Sequence, residues 1–131
     1  MNKFEAIRKV YIHDTDFTGA VYYSRYLEWM EEVRVNFLDC EYKTVELMAK
    51  EDGVGFMVTK CDLRYLRVLK FGEMVKIVCN ARVAGLTRIG LDYRIYGKDE
   101  IKARGSVELV CMSIERGIPT RVPSGLVELI T

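Results

Sequence analysis

The chain has 131 residues, a length that suits one domain and leaves little room for two independent cores. Half of it is apolar, which excludes global disorder, and its 20 basic and 19 acidic residues give no electrostatic reason to expect nucleic acid as a partner. No run of about 18 apolar residues predicts a membrane span, and the first residues, Met1 to Ala6, lack the apolar stretch of a signal peptide, so the expected compartment is the cytoplasm. Cys40, Cys61, Cys79 and Cys111 form no Cys-x-x-Cys pair, and His13 is the only histidine. They read as reduced thiols, and no metal site is expected.

Phe4 to Ile12 reads as a strand, with Phe4, Ala6, Arg8, Val10 and Ile12 on one face. His13 to Gly19 is rich in Asp, Thr and Gly, the composition of a turn. Tyr23 to Asp39 is the strongest helix signal: Tyr23, Tyr26, Leu27, Met30, Val33, Phe37 and Leu38 recur at spacings of three and four, and Trp29 widens the stripe. Ser24 is the candidate N-cap. A shorter helix is expected over Thr44 to Lys50, ended by Gly53.

Beyond Gly55 the period becomes two. Phe56 to Leu66, Glu73 to Val83, Arg88 to Tyr96 and Lys102 to Ile114 read as strands, with a hairpin loop at Gly97 to Glu100. Pro123 to Ile130 reads as a short closing helix. Short connections make consecutive strands antiparallel neighbours. The long helix needs a sheet face to cover, so the expected class is α+β: a curved antiparallel sheet of about five strands wrapped around one long central helix. Such a sheet keeps an exposed face or edge, which a homodimer or tetramer would cover.

The stretch with chemical potential is Asp14-Thr15-Asp16-Phe17-Thr18-Gly19, ahead of the helix start at Tyr23. A helix N-terminus offers free N–H groups and a positive dipole end of roughly half an elementary charge. A carboxylate beside it makes a workable hydrolase: amides receive a developing oxyanion while the acid attacks or activates water. On pattern alone, Asp-x-Asp before a helix is more often a turn and capping device, and two acids could also hold a divalent cation. Tyr22, Tyr26, Trp29, Met30 and Met57 could line an acyl pocket or simply pack the core.

The segment from Val10 to Leu27, with its acid pair, glycine and helix start at fixed spacing, resembles the signature of 4-hydroxybenzoyl-CoA thioesterase-like proteins. That family includes the short acyl-CoA thioesterases linked to the Tol-Pal system. The strand order after the motif matches too, so the resemblance covers nearly the whole chain. It implies a hotdog fold and hydrolysis of an acyl-CoA thioester without a cofactor. It assigns Asp16 as catalytic nucleophile or general base and the Tyr23 N–H as the group that polarises the carbonyl, with Gly19, Tyr22 and Tyr26 beside the substrate. The family's CoA-binding basic residues fall on the region of Arg82 and Arg88; Lys60, Arg64, Arg67 and Lys70 form a competing basic surface. Asp14 reads as a loop organiser and His13 as an exposed loop residue. Two rivals stand beside this reading: a hydratase or dehydratase, which would pair a His with an acid, and a non-enzymatic acyl-CoA or acyl-ACP binding module.

Overall fold

A computed structural model describes residues 2–131. Strand β1 (Lys3–Lys9) is followed by a short 3-10 helix at Ile12–Asp14, then α1 (Arg25–Glu41) and α2 (Val45–Glu51). Strands β2 (Val54–Tyr65), β3 (Met74–Gly85), β4 (Arg88–Gly97) and β5 (Glu100–Ser113) form the rest of the sheet, and α3 (Ser124–Ile130) closes the chain. The sheet is antiparallel with spatial order β1-β3-β4-β5-β2.

This order corrects one expectation. Consecutive strands are neighbours for β3–β4 and β4–β5, but β2 and β3 do not touch. Their connection, residues 66–73, is too long for a tight hairpin, and it carries the chain from one edge of the sheet to the other side. The β4–β5 loop is the opposite case. Lys98 and Asp99 hold φ of 50° and 62°, the two left-handed positions of a two-residue turn that matches strand twist.

The first strand is also shorter than expected. It ends at Lys9, and Ile12 falls in the 3-10 helix, 72% exposed, because Asp14 folds back to accept the Tyr11 N–H at 2.9 Å. Ser24 occupies the N-cap position of α1 but makes no side-chain cap bond. Thr44 does cap α2, accepting the Leu47 N–H at 3.1 Å.

The apolar stripe of α1 packs on the sheet as the period of 3.6 dictates: Tyr26, Trp29, Met30, Val33, Phe37 and Leu38 are buried. They meet Val75, Ile77, Cys79 and Ala81 of β3 and Ile89, Leu91, Tyr93 and Ile95 of β4 in one core. The buried Tyr93 hydroxyl donates to the Met30 carbonyl at 3.0 Å, joining β4 to the helix. Among the described residues three α-helices accompany the sheet, of which α1 is the longest at 17 residues.

Strand β2 lies at an edge and, among the described residues, pairs only with β5. Its register shifts between Val58 and Lys60, so Thr59 is an extra residue there. The bulge resets the alternation, and Phe56, Val58, Cys61, Leu63 and Tyr65 all stay on the face that α1 packs against. No helix among the described residues is long and apolar enough to cross a membrane.

Candidate active site

The loop before α1 is a small hairpin of its own. Tyr22 N–H donates to the Asp14 carbonyl at 2.8 Å and Asp16 N–H to the Ala20 carbonyl at 2.9 Å, and Gly19 N–H closes the turn on the Asp16 carbonyl at 3.1 Å. Gly19 holds φ of 84°, a conformation costly for any residue with a Cβ. Asp16 therefore stands at the hairpin tip, and Tyr22 and Tyr23 stand at its base where α1 begins.

The two acids have different surroundings. Asp14 is 2% exposed. One of its oxygens accepts from Arg8 Nη2 at 3.2 Å and from the Tyr11 N–H, while the other lies 3.5 Å from His13 Nε2 and 4.0 Å from Arg25 Nε. Asp16 is exposed. Its Oδ1 accepts the Thr18 hydroxyl at 2.6 Å and the Thr18 N–H at 2.8 Å. Among the described residues Oδ2 has no partner, and the carboxylate makes no hydrogen bond to α1. The Thr18 bonds, the hydroxyl first, hold the Asp16 carboxyl below its ordinary value of 3.8.

If the ionised carboxylate is the working form, the acid limb of a kcat/KM–pH profile lies below that ordinary value. Activity is present above the folded-state pKa and is lost as pH falls through it. Thr18→Ala, which removes the hydroxyl bond, is expected to move that limb to higher pH, as read from the profile of the purified variant.

The helix begins at Arg25, two residues later than the sequence predicts, so Tyr23 lies in the turn just ahead of it, and its N–H has no protein acceptor among the described residues. The Tyr23 carbonyl accepts the Tyr65 hydroxyl from β2 at 2.8 Å. Tyr22 is 48% and Tyr23 62% exposed, with ring centroids 4.8 Å apart. Their mutual hydrogen bond raises the Tyr22 phenol above its usual range. Tyr26 belongs to the core: it is buried between Trp29 and Tyr65, and burial pushes its phenol up to about 12. Trp29 and Met30 are buried too, whereas Met57 is exposed. Two openings flank the helix start. A cleft of about 230 Å³ is walled by Val21, Tyr23, Tyr26, Tyr65 and Leu69. A groove of about 270 Å³ lies between Leu27, Met30 and Arg34 of α1 and Val58 and Cys61 of β2.

The basic residues divide. Arg82 pairs with Asp92 at 3.0 Å and Arg88 with Glu108 at 3.0 Å, all four on the sheet face away from α1. The Asp16 hairpin is fastened to the segment just before β3. Arg82 is eight residues further along that strand, about 26 Å at roughly 3.3 Å per residue. One protomer therefore does not bring Arg82 or Arg88 to Asp16. Of the competing set, Lys70 is beside the hairpin, bridged to Ala20, and Arg67 lines the cleft at Tyr23. His13 is exposed, stacked on Tyr11, with its Nε2 on Asp14.

Three contributors escaped sequence reasoning. Thr18 had a legible signal, a hydroxyl two residues after an Asp in a turn. Tyr65 and the Arg8–Asp14 contact had none, since both depend on which strands end near the hairpin.

The model of the thioesterase-like superfamily matches residues 10–130, nearly the whole chain. The chain belongs to that superfamily. Acyl-CoA thioesterase YbgC of Haemophilus influenzae is 25% identical over 123 residues, 93% of this chain and 90% of that protein. A 1,4-dihydroxy-2-naphthoyl-CoA hydrolase of Microcystis aeruginosa is 24% identical over 106 residues, 81% of this chain and 77% of that protein. The solved 1,4-dihydroxy-2-naphthoyl-CoA thioesterase from Synechocystis superposes with a TM-score of 0.90 at 20% identity, covering 98% of this chain and 95% of that one. At that identity the superposition speaks for the fold alone, and it is the hotdog thioesterase fold. Thioester hydrolase, the enzyme class expected from the sequence, is the class of these relatives.

Proposed function

We propose that this member of the superfamily hydrolyses an acyl-CoA thioester to the free acid and CoA. Asp16 is the nucleophile or general base, and the Tyr23 N–H polarises the thioester carbonyl. The observation that carries the reading is the contrast within the acid pair. Asp14 is buried and accepts from Arg8 and the Tyr11 N–H, whereas Asp16 is exposed, anchored through one oxygen and open through the other. An exposed carboxylate at the tip of a hydrogen-bonded turn can reach a substrate, and an unpaired amide in the turn just ahead of a helix can receive an oxyanion. The Tyr65 hydroxyl on the Tyr23 carbonyl holds that peptide in place. CoA thiolate is a fair leaving group, so the residues present suffice for the chemistry. A His–acid hydratase is disfavoured, because His13 faces Asp14 and not the open oxygen of Asp16.

The working form in this reading is a homodimer or a dimer of dimers. Strand β2 leaves one edge unpaired, and Met57, Val58, Tyr65 and Leu66 beside it are exposed. Such an edge is normally covered. A second copy would also supply basic residues that one protomer holds far from Asp16.

The test is CoA release by the wild-type chain from a panel of short-chain, long-chain and aromatic acyl-CoAs. Turnover of any of them supports the hydrolase and identifies the acyl class. Tight binding with no turnover across the panel would favour the acyl-CoA or acyl-ACP binding module.

A further inference from the structure

We propose that Glu73 and Lys102 are positioning residues for the Asp16–Tyr23 loop, acting through the turn at residues 69–73. This rests on the reading of that loop as the active site.

Both ends of the loop are fastened to that one turn. At its start, Val10 N–H donates to the Glu73 carbonyl at 2.9 Å, and Gly72 N–H donates back to the Val10 carbonyl at 3.0 Å. At its end, Val21 N–H donates to the Leu69 carbonyl at 2.8 Å, and Phe71 N–H donates to the Gly19 carbonyl at 3.0 Å. Whatever sets the shape of the turn therefore sets the distance between Val10 and Val21, the two points that flank the hairpin. Asp16 and the helix start both depend on that distance.

The turn is shaped by its own carboxylate. Glu73 Oε2 accepts the Lys70 N–H at 2.7 Å. The other oxygen, Oε1, is buried without a hydrogen-bond partner and faces Lys102 Nζ at 4.0 Å, an ammonium that also lies 3.6 Å from the exposed carboxylate of Glu100. Both side chains are only 9% exposed. A buried carboxylate with an unsatisfied oxygen persists only where a nearby cation offsets its lost hydration. Lys102 is held in turn. Its carbonyl accepts Leu66 N–H at 2.8 Å and Arg67 N–H at 3.0 Å, at the chain's entry to the same connection. Gly97 completes the enclosure. A methyl group there would lie 2.7 Å from Leu69 Cδ2, 3.0 Å from Glu73 Oε1 and 3.2 Å from Lys102 Cε, so the pair fits because position 97 carries no side chain.

The experiment compares wild type with Lys102→Met, Glu73→Ala, Glu73→Gln and the double variant Glu73→Gln/Lys102→Met. Thermal midpoint, kcat, KM and amide exchange at Val21 and Phe71 are measured for each. Lys102→Met strands a buried carboxylate. It is expected to speed exchange at both amides about tenfold and to lower kcat about tenfold to a hundredfold, with KM changed far less. Glu73→Gln keeps an acceptor for the Lys70 N–H and is expected to retain more activity than Glu73→Ala. The double variant, with neither buried charge, is expected to recover most of the kcat lost in Lys102→Met. It also carries the test if that single variant fails to fold. Unchanged exchange at Val21 and Phe71 would overturn the proposal. So would faster exchange or a lower midpoint with kcat intact, which would make the pair purely structural. Absence of wild-type turnover would sink the thioesterase reading instead, and the exchange measurement would still report on the turn at residues 69–73.

Discussion

Asp16→Asn is expected to lower kcat/KM for thioester hydrolysis by about 10²–10⁴-fold, the range for losing a positioned acid or base, while the thermal midpoint stays within error of wild type. The side chain is exposed, and its one anchored oxygen accepts from the Thr18 hydroxyl and N–H. Asparagine offers the same carbonyl acceptor in the same volume, so the turn keeps both bonds. An exposed substitution of this kind normally moves stability by less than about 0.5 kcal/mol. Asparagine cannot attack a thioester or accept a proton from water. The measurement is CoA release alongside a thermal melt of the same preparation. Full activity would remove Asp16 from the chemistry whatever the fate of the fold. Turnover in oxygen-labelled water extends the test: label entering the Asp16 carboxyl would assign it as the nucleophile.

Much of this arrangement was legible in the chain because local physics dictates it. Most of the predicted stripe, Tyr26, Met30, Val33, Phe37 and Leu38 with Trp29 beside them, is buried against the sheet, whereas its members Tyr23 and Leu27 are exposed. The alternation of Val75, Ile77, Cys79 and Ala81 with Lys76, Asn80 and Arg82 marks the core side of β3, although Val78 on the other face is buried as well. The motif at Asp14 to Tyr23 supplied the family. What stayed illegible is non-local. Nothing in residues 66–73 says that the chain crosses the sheet rather than turning back on β2. The bulge at Thr59 lacks the glycine that often signals one, yet it decides that Cys61, Leu63 and Tyr65 face the helix side. The family resemblance put Arg82 and Arg88 in the CoA-binding region, but register sets them at the β3–β4 turn on the outer face of the sheet, away from the Asp16 hairpin. The difference between Asp14 and Asp16 is also non-local, because it comes from Arg8, six residues earlier on a strand that ends beside the loop.

That difference yields the opposite prediction for the other acid. Asp14→Ala is expected to destabilise the protein by about 3 kcal/mol, a fall in thermal midpoint of about 10 °C at this chain length. The deletion leaves the Tyr11 N–H without its acceptor. It also leaves Arg8, only 23% exposed and stacked 4.6 Å over the Trp29 ring, with the exposed Glu32 as its remaining ion pair at 3.0 Å. Arg25 would keep Glu28 at 2.7 Å and the His13 carbonyl at 3.0 Å, so the damage centres on the β1 end of the loop. Arg8→Ala in the Asp14→Ala background should cost less than in wild type, with a coupling of about 1–3 kcal/mol, because the two groups share one interaction. Thermal melts of the four proteins measure it. A melt unchanged by Asp14→Ala together with abolished hydrolysis would mean that the buried acid does the chemistry. Asp14 would then be the catalytic acid and Asp16 the residue that shapes the turn.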